Sequence, residues 1–215
     1  METIQYLKER FDKTLKYAHL KDNELIFNNI ISCYSEPHRH YHTIEHLRDC
    51  FELVDKCNHV IYSASFILEV SLWLHDIVYI PNKQDNEKQS AKYTSLFKNI
   101  LTSQESFLIK KFILLTKNHI STDIDFKNWI YGKEQLELFL DIDNSILASS
   151  KLKYKQYKNN IRKEYSFASD KDFYTGRLKF LKQQLEKANI FFVLNDFEKQ
   201  ARINMLNEYV ELSKE

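Results

Sequence analysis

Ser63-Ala-Ser-Phe66-Ile-Leu-Glu69-Val-Ser71-Leu-Trp-Leu74-His75-Asp76-Ile-Val-Tyr79 is apolar on nearly every side and then delivers an imidazole and a carboxylate in succession. A helix without a polar face must be surrounded by other elements, so roughly Ser63 to His75 is expected to form a central, buried helix. The His-Asp pair at its end is out of keeping with that setting. Burying an ionised aspartate alone is costly, so the pair calls for a hydrogen-bonded partner, a cation or a metal.

Upstream, Thr43 reads as the N-cap of a helix that presents Ile44, Leu47, Phe51 and Val54 on one side. Before it, a helix from about Asp22 carries Leu25, Ile26, Asn29 and Ile30 and stops ahead of Ser35-Glu36-Pro37. A first helix from about Ile4 to Ala18 shows Ile4, Leu7, Phe11 and Leu15 at three- and four-residue steps. Downstream, Pro81-Asn82 opens a polar loop, and a helix follows from about Asn86 to Leu101. Thr102-Ser-Gln-Glu105 reads as a capping box ahead of the apolar run Phe107 to Leu115. Ser121-Thr122-Asp123 interrupts the pattern, and helices are expected near Lys133–Leu147, Lys151–Phe167, Asp172–Ala188 and Asp196–Leu212.

Breakers are scarce. The 215 residues include only two glycines (Gly132, Gly176) and two prolines (Pro37, Pro81). A sheet protein of this size needs many tight turns built from such residues. The chain is therefore expected to be all-α, a single-domain helical bundle over residues 1–215 without repeats or linkers.

Thirty-one basic and thirty acidic residues leave a formal net charge of +1. That balance gives no strong nucleic-acid signal and no bulk attraction to a membrane. Cys33, Cys50 and Cys57 share no metal-ligand spacing and read as reduced thiols of a cytoplasmic protein. The first residues, METIQYLKERF, are charged and amphipathic rather than signal-like. Phe66 to Leu74, interrupted by Glu69 and Ser71, falls far below the ~20 residues of a membrane helix. A soluble protein with no membrane partner is the expectation.

Chemistry gathers at three places. Four of the eight histidines lie within Pro37-His38-Arg39-His40-Tyr41-His42-Thr43-Ile44-Glu45-His46, a density that suits either metal ligation or a polar loop. His75-Asp76 is the second place. The third is Phe139-Leu-Asp141-Ile-Asp143-Asn, where acids again interrupt an apolar helical run. Two residues apart on a helix, Asp141 and Asp143 cannot both face one point.

The order of these signals, with the strings Arg39-His-Tyr-His42-Thr-Ile-Glu-His46, Leu74-His-Asp-Ile-Val-Tyr79, Asn86-Glu87-Lys-Gln-Ser90-Ala91 and Leu140-Asp-Ile-Asp143, resembles the HD superfamily of metal-dependent phosphohydrolases. Arg162-Lys-Glu164-Tyr165, Gly176-Arg177 and Ala201-Arg202-Ile-Asn204 extend the resemblance, to a bacterial subgroup of predicted metal-dependent members, from about Tyr34 to Leu212. It implies a helical bundle of the HD-domain type, with a metal-binding core at about 39–145 and C-terminal helices at about 150–213.

By the same resemblance His46, His75 and Asp76 are metal ligands, completed by Asp143, with Asp141 as the alternative. Mixed imidazole and carboxylate ligation suits a divalent Mn, Fe, Ni or Zn ion. The implied activity is hydrolysis of a small phosphorylated substrate, a phosphomonoester or phosphodiester, by a metal-activated water. Superfamily habit suggests a nucleotide, although no residue pattern here reads a base. Arg39 is the expected phosphate clamp, and Glu87, beside Asn86, the expected water-orienting or proton-transferring acid. His42 and His119 are the candidates for a substrate contact, a supporting role or a second ion. Two other readings compete: a di-iron oxygenase on an HD-type site, and a non-catalytic ligand-binding module on that scaffold.

Overall fold

The computed structural model describes residues 2–16, 23–57, 66–121 and 132–214. Among these the chain is all-helical, with no strand. The helices are α1 (Glu2–Thr14), α2 (Asn23–Tyr34), α3 (Ile44–Cys57), α4 (Phe66–Leu74), α5 (Asn86–Lys92), α6 (Ser103–Leu115), α7 (Gly132–Asn144), α8 (Lys151–Glu164), α9 (Asp170–Leu185) and α10 (Asn195–Leu212). Two short 3-10 helices, Tyr93–Phe97 and Ser145–Ala148, follow α5 and α7.

Helix α4 occupies the centre, as its sequence requires: every residue from Ile67 to Leu74 is buried. Trp73 is the hub. Its ring lies 4.4 Å from Phe51, 5.2 Å from Phe11 and 6.5 Å from Phe27, centroid to centroid. The one acid on α4, Glu69, is matched rather than exposed. Arg10 donates to it at 2.7 Å and Thr14 at 2.6 Å, so α1 carries the partners that make the burial tolerable.

A second apolar cluster lies in the C-terminal third, where Tyr154, Tyr157 and Ile161 of α8 meet Leu181 of α9 and Ala201 and Met205 of α10. Leu194 packs against both clusters. Asn204 donates to the carbonyls of Leu147 and Ser149 at 2.9 and 2.8 Å, which fastens α10 to the turn that follows α7.

Several boundaries differ from the sequence pattern, each for a local reason. The helix expected to run to Leu101 ends at Lys92, where the Thr94 hydroxyl bonds back to the Ala91 carbonyl and the chain tightens into a 3-10 turn. The helix expected to run to Leu147 stops at Asn144, since Asn and Ser favour ends over interiors. Helix α8 stops at Glu164 rather than Phe167, because Arg162 captures the carbonyls of Tyr165 and Ala168. Helix α9 begins before Asp172, with Ser169 accepting from the Asp172 N–H at 3.1 Å. The Thr102 capping box is present in full. The expected helix starts at Asp22 and Ser63, the expected end at Ala18, and the break at Thr122-Asp123 lie outside the described residues. No helix among the described residues is long and apolar enough to cross a membrane.

Candidate metal centre

Three local structures bring the site together. Thr43 accepts from the Glu45 N–H at 3.3 Å and starts α3, which puts His46 in its first turn, facing inward and 4% exposed. His75 and Asp76 follow directly where buried α4 ends. Asp143 sits in the last turn of α7. One donor atom from each of His46, His75, Asp76 and Asp143 falls within 4.8 Å of every other, a group that could hold a metal ion.

The donor set fits a divalent cation. The Nε2 atoms of His46 and His75 are 3.1 Å apart, and both point at Asp143 Oδ1, at 3.3 and 3.4 Å. Asp76 Oδ2 lies 3.2 Å from His75 Nε2 and 4.0 Å from His46 Nε2. His75 Nδ1 is 2.8 Å from the Leu72 carbonyl, so Nδ1 carries the proton that this acceptor requires. That arrangement leaves the Nε2 lone pair turned into the cluster, the orientation that a ligating imidazole needs.

The electrostatics agree. Burial alone would lower the pKa of His75, but Asp76 and Asp143 overrule it and raise it well above the ordinary imidazole value. Burial likewise opposes ionisation of Asp76 and Asp143, yet the facing imidazoles hold both carboxyls well below their usual range. Without an ion, the raised pKa of His75 lets its ring offset the charge of the two carboxylates.

Asp141 has a different duty. Its carboxylate faces away from the cluster, is fully buried, and accepts the backbone N–H groups of Phe192, Val193 and Leu194 at 2.7 to 3.0 Å. Two helical positions rotate a side chain by about 200°, so Asp143 joins the histidines while Asp141 pins the segment ahead of α10.

Arg39 corrects the expectation of a phosphate clamp. Its side chain is wholly buried, and it donates to Glu36 and to the carbonyls of His42, Asp76 and Ile77 at 2.6 to 3.1 Å. It ties the approach to α3 to the turn that bears His75 and Asp76. Its donors serve three backbone carbonyls and the Glu36 carboxylate.

His42 and His119 flank the cluster. His119 Nε2 lies 2.9 Å from Asp143 Oδ2. Its backbone is left-handed, with φ of 47°, and its N–H closes α6 onto the Leu115 carbonyl. A non-glycine residue in that conformation costs on the order of 1 kcal/mol, and here the turn aims the ring at a candidate ligand. His42 stacks on Tyr79 at 3.8 Å, with its Nδ1 2.9 Å from Glu164 Oε2 and its Nε2 3.9 Å from Asp76 Oδ2.

Glu164 is the residue whose part in the site the sequence pattern did not disclose. Its Oε1 accepts the N–H groups of His40, Tyr41 and His42 at 2.8, 2.8 and 3.0 Å. Burial opposes its charge, but His42 and these donors hold its pKa down at about 2. A signal existed: Glu164 is the last residue of α8, where the helix dipole disfavours a carboxylate. An acid there needs compensation from elsewhere in the fold. Elsewhere in the C-terminal helices Arg177 pairs with Glu208 at 2.9 Å and Arg202 with Glu198 at 2.6 Å.

A cavity of about 710 Å³ opens on the cluster. Asp76, Asp143, His42 and His119 form one part of its wall, with Glu87, Asn86 and Lys117 nearby. Asn86 is engaged with both backbone groups of Ile80 at 3.0 Å, which shapes the loop. No hydrogen bond or ion pair occupies the Glu87 carboxylate among the described residues. Compared with known proteins, the chain matches no family model, no curated protein and no solved structure.

Proposed function

We propose that this protein is a metal-dependent phosphohydrolase of the HD type, cleaving a phosphomonoester or phosphodiester. One observation carries the reading: two imidazole nitrogens and two carboxylates from three separate parts of the chain converge within 4.8 Å, and both carboxylates line a ligand-sized cavity. A divalent ion held there supplies Lewis-acid polarisation of a phosphoryl group and acidifies a water. The protein supplies the rest. His75 is fixed in its ligating orientation by Leu72, and the Asp143 carboxylate is positioned by His119. His42, its pKa raised through Glu164 and Asp76 against the effect of burial, stands at the cavity wall as a proton donor to a phosphoryl or leaving oxygen. Glu87 is the base candidate, and Lys117 is the cation at the cavity wall nearest in character to a phosphate contact.

The test is elemental analysis of purified protein beside His75→Ala, followed by a phosphate-release screen with added Mn²⁺. The reading requires stoichiometric transition metal in the wild type, its loss in the variant, and metal-dependent phosphate release from the wild type alone. Equal metal content in both proteins, or bound metal with no phosphate release from any ester, sinks it. Stoichiometric iron with oxygen consumption would point to the oxygenase instead.

A further inference from the structure

Glycine in the interior of a helix costs about 1 kcal/mol relative to alanine, and Gly176 is the seventh residue of the sixteen in α9. Nothing among the described residues requires it. A Cβ built at Gly176 meets no atom within 4 Å, and its backbone is ordinary helix. Gly176 is exposed and is one of the residues lining the cavity that opens on the candidate metal centre. A side chain here would extend beside that cavity without meeting the protein's own atoms.

The walls at this end differ from those beside the cluster. Arg177 is 8% exposed and sandwiched between aromatic rings, its guanidinium 5.0 Å from the centroid of Tyr157 and 4.8 Å from that of Phe180. Its charge is already met: Nε and Nη2 donate to Glu208 at 2.9 and 3.1 Å, and Nη1 donates to the Tyr157 hydroxyl at 3.1 Å. Arg177 is thus a buried, neutralised guanidinium that supports the aromatic wall rather than an anion trap. Phe173 and Tyr165 continue the apolar wall. Against four acids lining the cavity (Asp76, Glu87, Asp143, Asp172), Lys117 is the lining cation without a carboxylate partner among the described residues. A chain of phosphates would find no further charge to meet it.

We infer that the Gly176 end of the cavity receives the organic part of the substrate, a planar ring, and that the missing side chain at Gly176 decides which esters fit. The inference rests on the phosphohydrolase reading for the identity of the other, phosphoryl end. Planarity follows from the aromatic walls, since flat ring faces complement a ring better than a branched chain.

Calorimetric titration of Mn²⁺-loaded protein with 2-phenylethylphosphonate and with ethylphosphonate tests it without turnover. Burial of a phenyl ring should give the wild type about ten-fold or more tighter binding of the phenyl compound. Gly176→Leu should abolish that preference and leave ethylphosphonate binding unchanged. Gly176→Ala should melt at a higher temperature than the wild type, which shows that the helix tolerates a side chain and that any lost preference in Gly176→Leu is a loss of room. Equal affinity of the wild type for the two phosphonates, or a preference that survives Gly176→Leu, overturns the inference. The phosphohydrolase reading fails separately: 2-phenylethyl phosphate would then escape hydrolysis although the phosphonate binds with the expected preference.

Discussion

Asp141 and Asp143 show how far two neighbouring residues of one type can diverge. Asp143→Asn should strip the metal while leaving the fold largely intact, because its partners are the rings of the cluster. Asp141→Asn should keep the metal and lose about 2 kcal/mol of stability, since it removes the charge that three backbone N–H groups share. Metal content per folded protein and denaturant melts of both variants check the pair. The reverse pattern would exchange their roles. The cluster also fixes a pH dependence. His75, with its pKa raised in the fold, stabilises the metal-free protein below the ordinary imidazole value, and that stability disappears as pH rises through the raised value. Asp76 and Asp143, held low, contribute stability above the ordinary carboxylate range and lose it as pH falls through their depressed values. A metal ion must displace the His75 proton, so uptake should release protons, and the melting-temperature gain from metal should widen between about pH 6 and about pH 8. A gain that is flat or shrinks over that range would contradict the assignment of His75.

At the scale of elements, the site depends on how the approach to α3 and the turn after α4 are held together. Arg39 is the tie, with its guanidinium bridging the carbonyls of His42, Asp76 and Ile77 and its plane over the Tyr34 and Tyr79 rings at 5.1 and 5.8 Å. Arg39→Ala should therefore cost on the order of 3 kcal/mol in folding stability and weaken metal retention, because three buried carbonyls lose their donor. A phosphate clamp would behave otherwise, with unchanged melting and a raised KM alone. Chemical denaturation beside elemental analysis separates the two. Glu164 plays the matching part from α8, since its carboxylate gathers the 40–42 turn and orients His42.

For the whole molecule, an ion held by the cluster would act as a fourth partner joining α3, the end of α4 and α7. A ligand that binds only the folded chain stabilises it by about 2.7 kcal/mol at a hundred-fold excess over Kd. The wild type should therefore melt several degrees higher with Mn²⁺ than with a chelator, while His75→Ala should show no difference. A shift of the same size in the variant would place the ion elsewhere.

The sequence by itself determined that the chain is helical and that α4 is central, because two glycines, two prolines and an apolar run without a polar face leave few alternatives. It also made His75 and Asp76 conspicuous, as ionisable groups at the edge of an apolar helix, while His46 was singled out by the resemblance of its string. Only the tertiary structure decided between Asp141 and Asp143, because helical rotation sets which way each points and distant partners decide what each meets. The same holds for Arg39, whose residue type suits a phosphate as well as a carbonyl, and for Glu164, more than a hundred positions from the loop it organises. The space before Gly176 belongs in the same class. A pattern along the chain reports burial and periodicity, whereas the partner of a buried charge, or the emptiness before a glycine, arises only when distant segments pack.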